Sequence, residues 1–235
     1  THIIAVSEVV RKILVEKEKT PPEKVSVILH GFDLEKFQHP DEKNVLKLRD
    51  KYQLQGIFPV IGVISRFTEW KGVQYIIPAF KSLLAEYPQA RLMLFNAEGS
   101  YAPQIEKLLE KIPAGNYTRV AFEKDLFSMY QLFDVFVHVP VDADSEAFGQ
   151  VYIEALASGT ACVFSLSGIG HEVIKNNHNA LVVPYKNSEA IQAACKTLIE
   201  NNKLRNILVT NAKEIVYENF TIRQMISNLE TLYTR

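Results

Sequence analysis

Short apolar runs separated by longer amphipathic stretches recur along the whole chain, and several runs are continuous rather than alternating, as in VFVHV and ACVF. A strand that is apolar on both faces must be covered on both, which favours a parallel sheet sandwiched between helices. Strands are predicted at 3–6, 25–29, 59–64, 90–95, 117–122, 134–139, 161–165 and 180–183. Helices are predicted at 72–87, 102–112, 126–133, 149–158 and 188–201. Two more close the chain, near 203–217 and 221–234, the last with Thr221 as its N-cap. Alternation of this kind implies right-handed crossovers and a doubly wound α/β sheet, whose ligands sit at the carboxyl ends of the strands.

With 235 residues and 47% apolar composition, the chain can bury a substantial core in one or two domains. A formal charge of −1 gives no footing for nucleic acid or for an anionic membrane surface. No apolar run reaches the roughly 18–20 residues of a membrane span, and the start does not read as a signal peptide. Cys162 and Cys195 fall in a predicted strand and a predicted helix, at a spacing that suits neither zinc nor a disulfide framework. They read as buried free thiols of a reduced, cytoplasmic protein.

The segment SEAFGQVYIEALASG, residues 145–159, concentrates the chemistry. Glu154 lies in a helix otherwise built from Val151, Tyr152, Ile153, Ala155, Leu156 and Ala157. Desolvating an ionised carboxylate costs several kcal/mol or more, so Glu154 needs a partner, which a ligand with hydroxyl donors would supply. Glu146 precedes it by eight positions, with Phe148-Gly149 between them.

This E-x-F-G-x-x-x-x-E arrangement resembles the signature of the retaining glycosyltransferases of family 4, which have the two-domain GT-B architecture. Three further segments resemble that family in the same order: VILHGFDLEKF (27–37), GVISRFTEWKG (62–72) and VFSLSGIGHEVI (163–174). The resemblance implies a Rossmann-like, nucleotide-sugar-binding fold, no cofactor and no metal. It also implies that the chain is the C-terminal, donor-binding portion of a longer enzyme. On that reading residues 1–45 are the end of an acceptor domain and its connection, 46–217 the donor domain, and 218–235 a helix packing back toward the first domain. The acceptor, a carbohydrate or lipid-linked molecule, would be bound through the preceding domain. A lipid-linked acceptor would bring the enzyme to the inner face of a membrane.

Transfer from a nucleotide diphosphate sugar requires neutralisation of the leaving diphosphate, anchorage of the nucleoside and orientation of the sugar. Arg66 and Lys71 follow the strand at 59–64 and suit the diphosphate. Gly149 and Gln150 open a helix whose backbone N–H groups form an anion site, with Phe148 beside them. Glu154 lies about 7–8 Å further along that helix, and the resemblance assigns it to ribose hydroxyls and Glu146 to the donor sugar. Asn96 and Gly168 are further candidate donor contacts, Asn96 being able to hydrogen-bond the ligand from its strand end, and Phe122, in the stretch 122–125, marks where backbone groups could read the base.

The chain departs from the family in two loops. Ile169 and His171 replace a glycine and a proline in GIGHE, which puts a backbone contact at 169 in doubt, and FNAEGSY (95–101) keeps only the later of two glycines. Asp142-Ala143-Asp144 has the Asp-x-Asp form of a metal site but reads as a solvated acidic loop. His30, His138 and His171 form no ligand cluster in sequence and read as structural or surface residues. A sugar-nucleotide epimerase of the same architecture, or a non-catalytic nucleotide-binding module, are the alternative functions.

Overall fold

The computed structural model describes residues 2–234. The chain opens with β1 (Ile3–Ala5), α1 (Glu8–Lys12) and β2 (Val25–Val27), and α1 runs on into a wider π turn over Ile13–Lys17. β1 and β2 pair in parallel as a small sheet of their own. α2 (Leu34–Gln38) and α3 (Glu42–Lys51) then lead into β3 (Val60–Ile64). From there strand and helix alternate: α4 (Val73–Leu83), β4 (Arg91–Phe95), α5 (Ala102–Leu109), β5 (Tyr117–Val120), α6 (Leu126–Tyr130) and β6 (Val135–His138). The second half holds α7 (Gln150–Ala157), β7 (Ala161–Phe164), α8 (Gly170–Val173), β8 (Leu181–Val182), α9 (Ser188–Glu200), α10 (Asn202–Asn219) and α11 (Ile222–Tyr233).

β3 to β8 form one parallel sheet in the order β5-β4-β3-β6-β7-β8. The order reverses between β3 and β6, so the loops after these two strands diverge and open a crevice at their carboxyl ends. Arg66 and Lys71 lie after β3, and Glu146 lies after β6.

Period-two alternation sorts the strand residues onto two different faces. Ile61, Val63, Leu92, Leu94, Val135, Val137 and Val163 pack with Ile76, Phe80, Ile105 and Leu198 of α4, α5 and α9. The opposite parity, Met93, Phe95, Phe136, Cys162 and Phe164, forms an aromatic layer with Tyr130, Tyr152 and Leu156 of α6 and α7. Both cysteines are free and buried, as their apolar neighbours imply. Gly62 is what lets that layer close over the central strand, because a Cβ there would sit 2.2 Å from the Phe133 ring. Gly62→Ala is therefore expected to cost about 2 kcal/mol by overpacking, lowering Tm by roughly 4–8 °C. A melting curve superimposable on the wild type would refute this packing.

Thr221 caps α11 as expected, its hydroxyl accepting from Gln224 N while Gln224 Oε1 accepts from Thr221 N. Gly159 ends α7 in the left-handed conformation, with φ of 75°.

Candidate functional site

The loop from Val139 to Gly149 carries Glu146 off the end of β6, and its position is fixed from three sides. Gly72 stands against Val139, where a Cβ would lie 1.8 Å from the Val139 carbonyl oxygen, and Val141 N donates to Trp70 O at 3.0 Å. Ser167 Oγ accepts from Glu146 N at 2.9 Å and donates to Ala143 O at 3.0 Å. Ser7 Oγ donates to Ala147 O at 2.7 Å. These contacts bring the loop after β3 and the loop after β6 together across the crevice.

Lys71 Nζ lies 2.5 Å from Glu146 Oε1, and both side chains are largely withdrawn from solvent. His138 Nε2 approaches the same oxygen to 3.1 Å. Burial opposes the charge on Glu146, but His138 and Lys71 outweigh it and draw the carboxyl down to about 2. Burial pushes the His138 imidazole below its usual range, against the pull of Glu146.

Glu154 lies in the second turn of α7 and is buried, at 8% exposure. Its partner within the chain is the Tyr130 hydroxyl, which donates to Oε2 at 2.8 Å. Among the described residues no cation pairs with it: burial raises its pKa, and the Tyr130 hydrogen bond pulls the other way. Glu154 and Gln150 line an open cavity of about 390 Å³ with His30, Phe32, Asp33 and Phe127. The chain connection at 30–33 thus roofs the carboxylate.

Between the two glutamates, the N–H groups of Phe148, Gly149 and Gln150 find no acceptor among the described residues. Gly149, with φ of 86°, turns the chain into α7 and leaves these amides unpaired at the approach to the helix start. An anion seated there would lie between Glu146 and Glu154.

The remaining expected residues divide clearly. Arg66 is exposed and free of any ion pair among the described residues. Asn96 is exposed at the end of β4 with φ of 55°, and Phe122 is 74% exposed just past β5. The adjacent Glu123 accepts from Lys51 and Tyr52, each at 2.6 Å, and anchors that turn. Phe148 gives its side chain to the core, with the His30 ring edge-on at 4.8 Å and Phe32 stacked at 6.2 Å. Gly168 serves the loop itself, since a Cβ would meet Phe148 O at 2.7 Å and Glu146 O at 2.8 Å. Ile169 is fully buried and its N–H donates to Phe148 O at 2.9 Å, so that amide is taken within the chain.

His138 is the residue that the sequence reading set aside. Its place at the end of β6, in the parity of Phe136, was the available signal. Asp142 Oδ1 accepts from Asp144 N and Ser145 Oγ, holding a local turn, and Asp144 lies 3.8 Å from Lys17. No helix among the described residues is long and apolar enough to cross a membrane.

The family model described as glycosyl transferases group 1 matches residues 44–215. The chain belongs to that family. An uncharacterized glycosyltransferase of Methanocaldococcus jannaschii is 24% identical over 242 residues, covering 100% of this chain and 58% of its own length. The capsular polysaccharide biosynthesis glycosyltransferase CapM of Staphylococcus aureus is 26% identical, over 99% of this chain and 61% of its own. The chain therefore spans about three fifths of the length of these curated relatives. In fold it is similar to Anabaena HepE, solved in complex with UDP and glucose, with a TM-score of 0.89 at 22% identity. That likeness covers 100% of this chain and 63% of HepE.

Proposed function

We propose that this member of the group 1 glycosyl transferases is the donor-binding part of a retaining enzyme that moves a sugar from a nucleotide diphosphate sugar to an acceptor. The observation that carries the reading is the pair of glutamates flanking three unpaired amides, one glutamate ion-paired to Lys71 and the other without a cation among the described residues. Arg66 and Lys71 neutralise the departing diphosphate together with the amides at the start of α7. Glu154 accepts hydrogen bonds from ribose hydroxyls inside the 390 Å³ cavity. Glu146 addresses the donor sugar. Asn96 and the turn at Phe122 lie at the strand ends where the rest of the nucleotide would reach. Retention follows from the resemblance of the Glu146–Glu154 spacing to the retaining transferases.

The chemistry draws on side chains and amides alone, with neither metal nor cofactor. Acceptor recognition, of a carbohydrate or a lipid-linked molecule, is assigned to the further two fifths by which the relatives exceed this chain. The reaction is placed in the cytoplasm, at the inner membrane face where the acceptor is lipid-linked.

Calorimetry on the 235-residue chain with UDP, GDP and ADP tests the donor reading. One of them is expected to bind more tightly than about 1 mM, and Arg66→Ala to weaken it roughly tenfold through loss of a charged contact. A folded sample that binds none of the three would end the reading.

A further inference from the structure

We propose that His138 is a positioning residue for Glu146, its Nε2–H holding Oε1 in place when Lys71 is drawn onto the diphosphate of a bound donor. The inference rests on the roles given above to Lys71 and Glu146. His138 is the last residue of β6 and 2% exposed. Its ring stands edge-on to Tyr152 at 4.9 Å and 82°, and the Tyr152 hydroxyl is itself fixed by donation to Ser165 O at 2.6 Å. The imidazole therefore has little freedom to turn. Its Nε2 is buried, has no hydrogen-bond partner of good geometry among the described residues, and lies 3.1 Å from Glu146 Oε1. Lys71 Nζ occupies that same oxygen at 2.5 Å.

Two donors thus converge on one oxygen, and only one of them is mobile. Lys71 sits on a long stem at the rim, whereas His138 is built into the end of the sheet. A buried carboxylate that lost Lys71 and had no other donor would take up a proton and cease to be an acceptor for the sugar. An imidazole N–H in reserve keeps it charged and in place. The groups facing His138 are Glu146, Lys71 and Tyr152, and burial keeps the ring neutral, so it offers a hydrogen bond without competing for the phosphate.

The test compares wild type, His138→Leu and His138→Gln by calorimetry. The probe is whichever of UDP-glucose, GDP-mannose and ADP-glucose the wild type binds best. His138→Leu is expected to weaken binding roughly tenfold to hundredfold, the range for a hydrogen bond to a charged group, and His138→Gln to stay within about threefold of wild type. Equal affinity of His138→Leu and wild type, or equal impairment of both variants, overturns the proposal. Nitrogen-15 NMR of the wild-type imidazoles, with His138 assigned through the Gln variant, gives an independent reading. A neutral ring protonated on Nε2 is expected, and a proton on Nδ1 instead overturns the proposal even if His138→Leu does not fold. A wild type that binds no nucleotide removes the donor reading beneath it, a result distinct from a wild type that binds while His138→Leu binds equally well.

Discussion

Lys71→Ala is expected to lower Tm by roughly 6–12 °C and to weaken nucleoside diphosphate binding roughly tenfold to hundredfold. The stability loss has a single origin. Lys71 and Glu146 form a largely buried ion pair, and removing Lys71 leaves Glu146 with the neutral His138 imidazole in place of a compensating charge, at about 3 kcal/mol. The acid limb of the stability curve carries the signature. Glu146 titrates near 2 in the folded chain, below its unfolded value, so its contribution is present above the usual carboxylate range. It is lost as pH falls through about 2. Without Lys71 the folded value rises, and the same contribution is lost at higher pH. Acid unfolding of Lys71→Ala should therefore begin well before that of the wild type. Coincident acid transitions for the two proteins would mean that the pair does not hold Glu146 ionised.

Glu154→Gln is expected to separate binding from stability in the opposite sense. Its affinity for nucleoside diphosphate should fall roughly 30- to 100-fold, because a charged acceptor for two ribose hydroxyls becomes a neutral one. Its Tm at pH 8 should match or exceed that of the wild type. The amide oxygen still accepts from Tyr130, so that hydroxyl is not left unpartnered. The unpaired buried charge, meanwhile, is gone. Burial raises the Glu154 pKa in the folded chain, so wild-type stability from this group is fully present below the unfolded carboxylate value. It is lost as pH rises through the folded value. The advantage of Glu154→Gln should consequently grow between pH 4 and pH 8. A variant several degrees less stable at pH 8, or one that binds nucleotide normally, would contradict this account.

The two glutamates show how far the sequence could be read. Glu154 declared itself because seven positions of apolar helix left one carboxylate with nothing local to pair with. Its nearest donor, the Tyr130 hydroxyl, stands 24 positions earlier and carries no sequence mark of the contact. The strands were legible for a similar reason: runs such as VFVHV and ACVF cannot be exposed on either face, and both lie in interior strands of the sheet. His138 was hidden by that same legibility, since a histidine closing an apolar strand reads as packing until the loop bearing Glu146 folds over it. Lys71 was read as a contact for the diphosphate, and its seat on Glu146, 75 positions away, left no mark in the sequence. Phe148 sits within the motif yet faces the core, because His30 and Phe32 from a distant connection close over it. In each case the missing information was a long-range contact.

The hydroxyl of Ser7 has a mechanical consequence. It ties the end of the small β1–β2 sheet to the carbonyl of Ala147, the residue immediately following Glu146, while Glu8 N is held by Glu172 just beyond the neighbouring glycine loop. The small sheet is therefore coupled directly to the loop that carries Glu146. A displacement of that sheet would reach the backbone of Glu146 through one peptide unit.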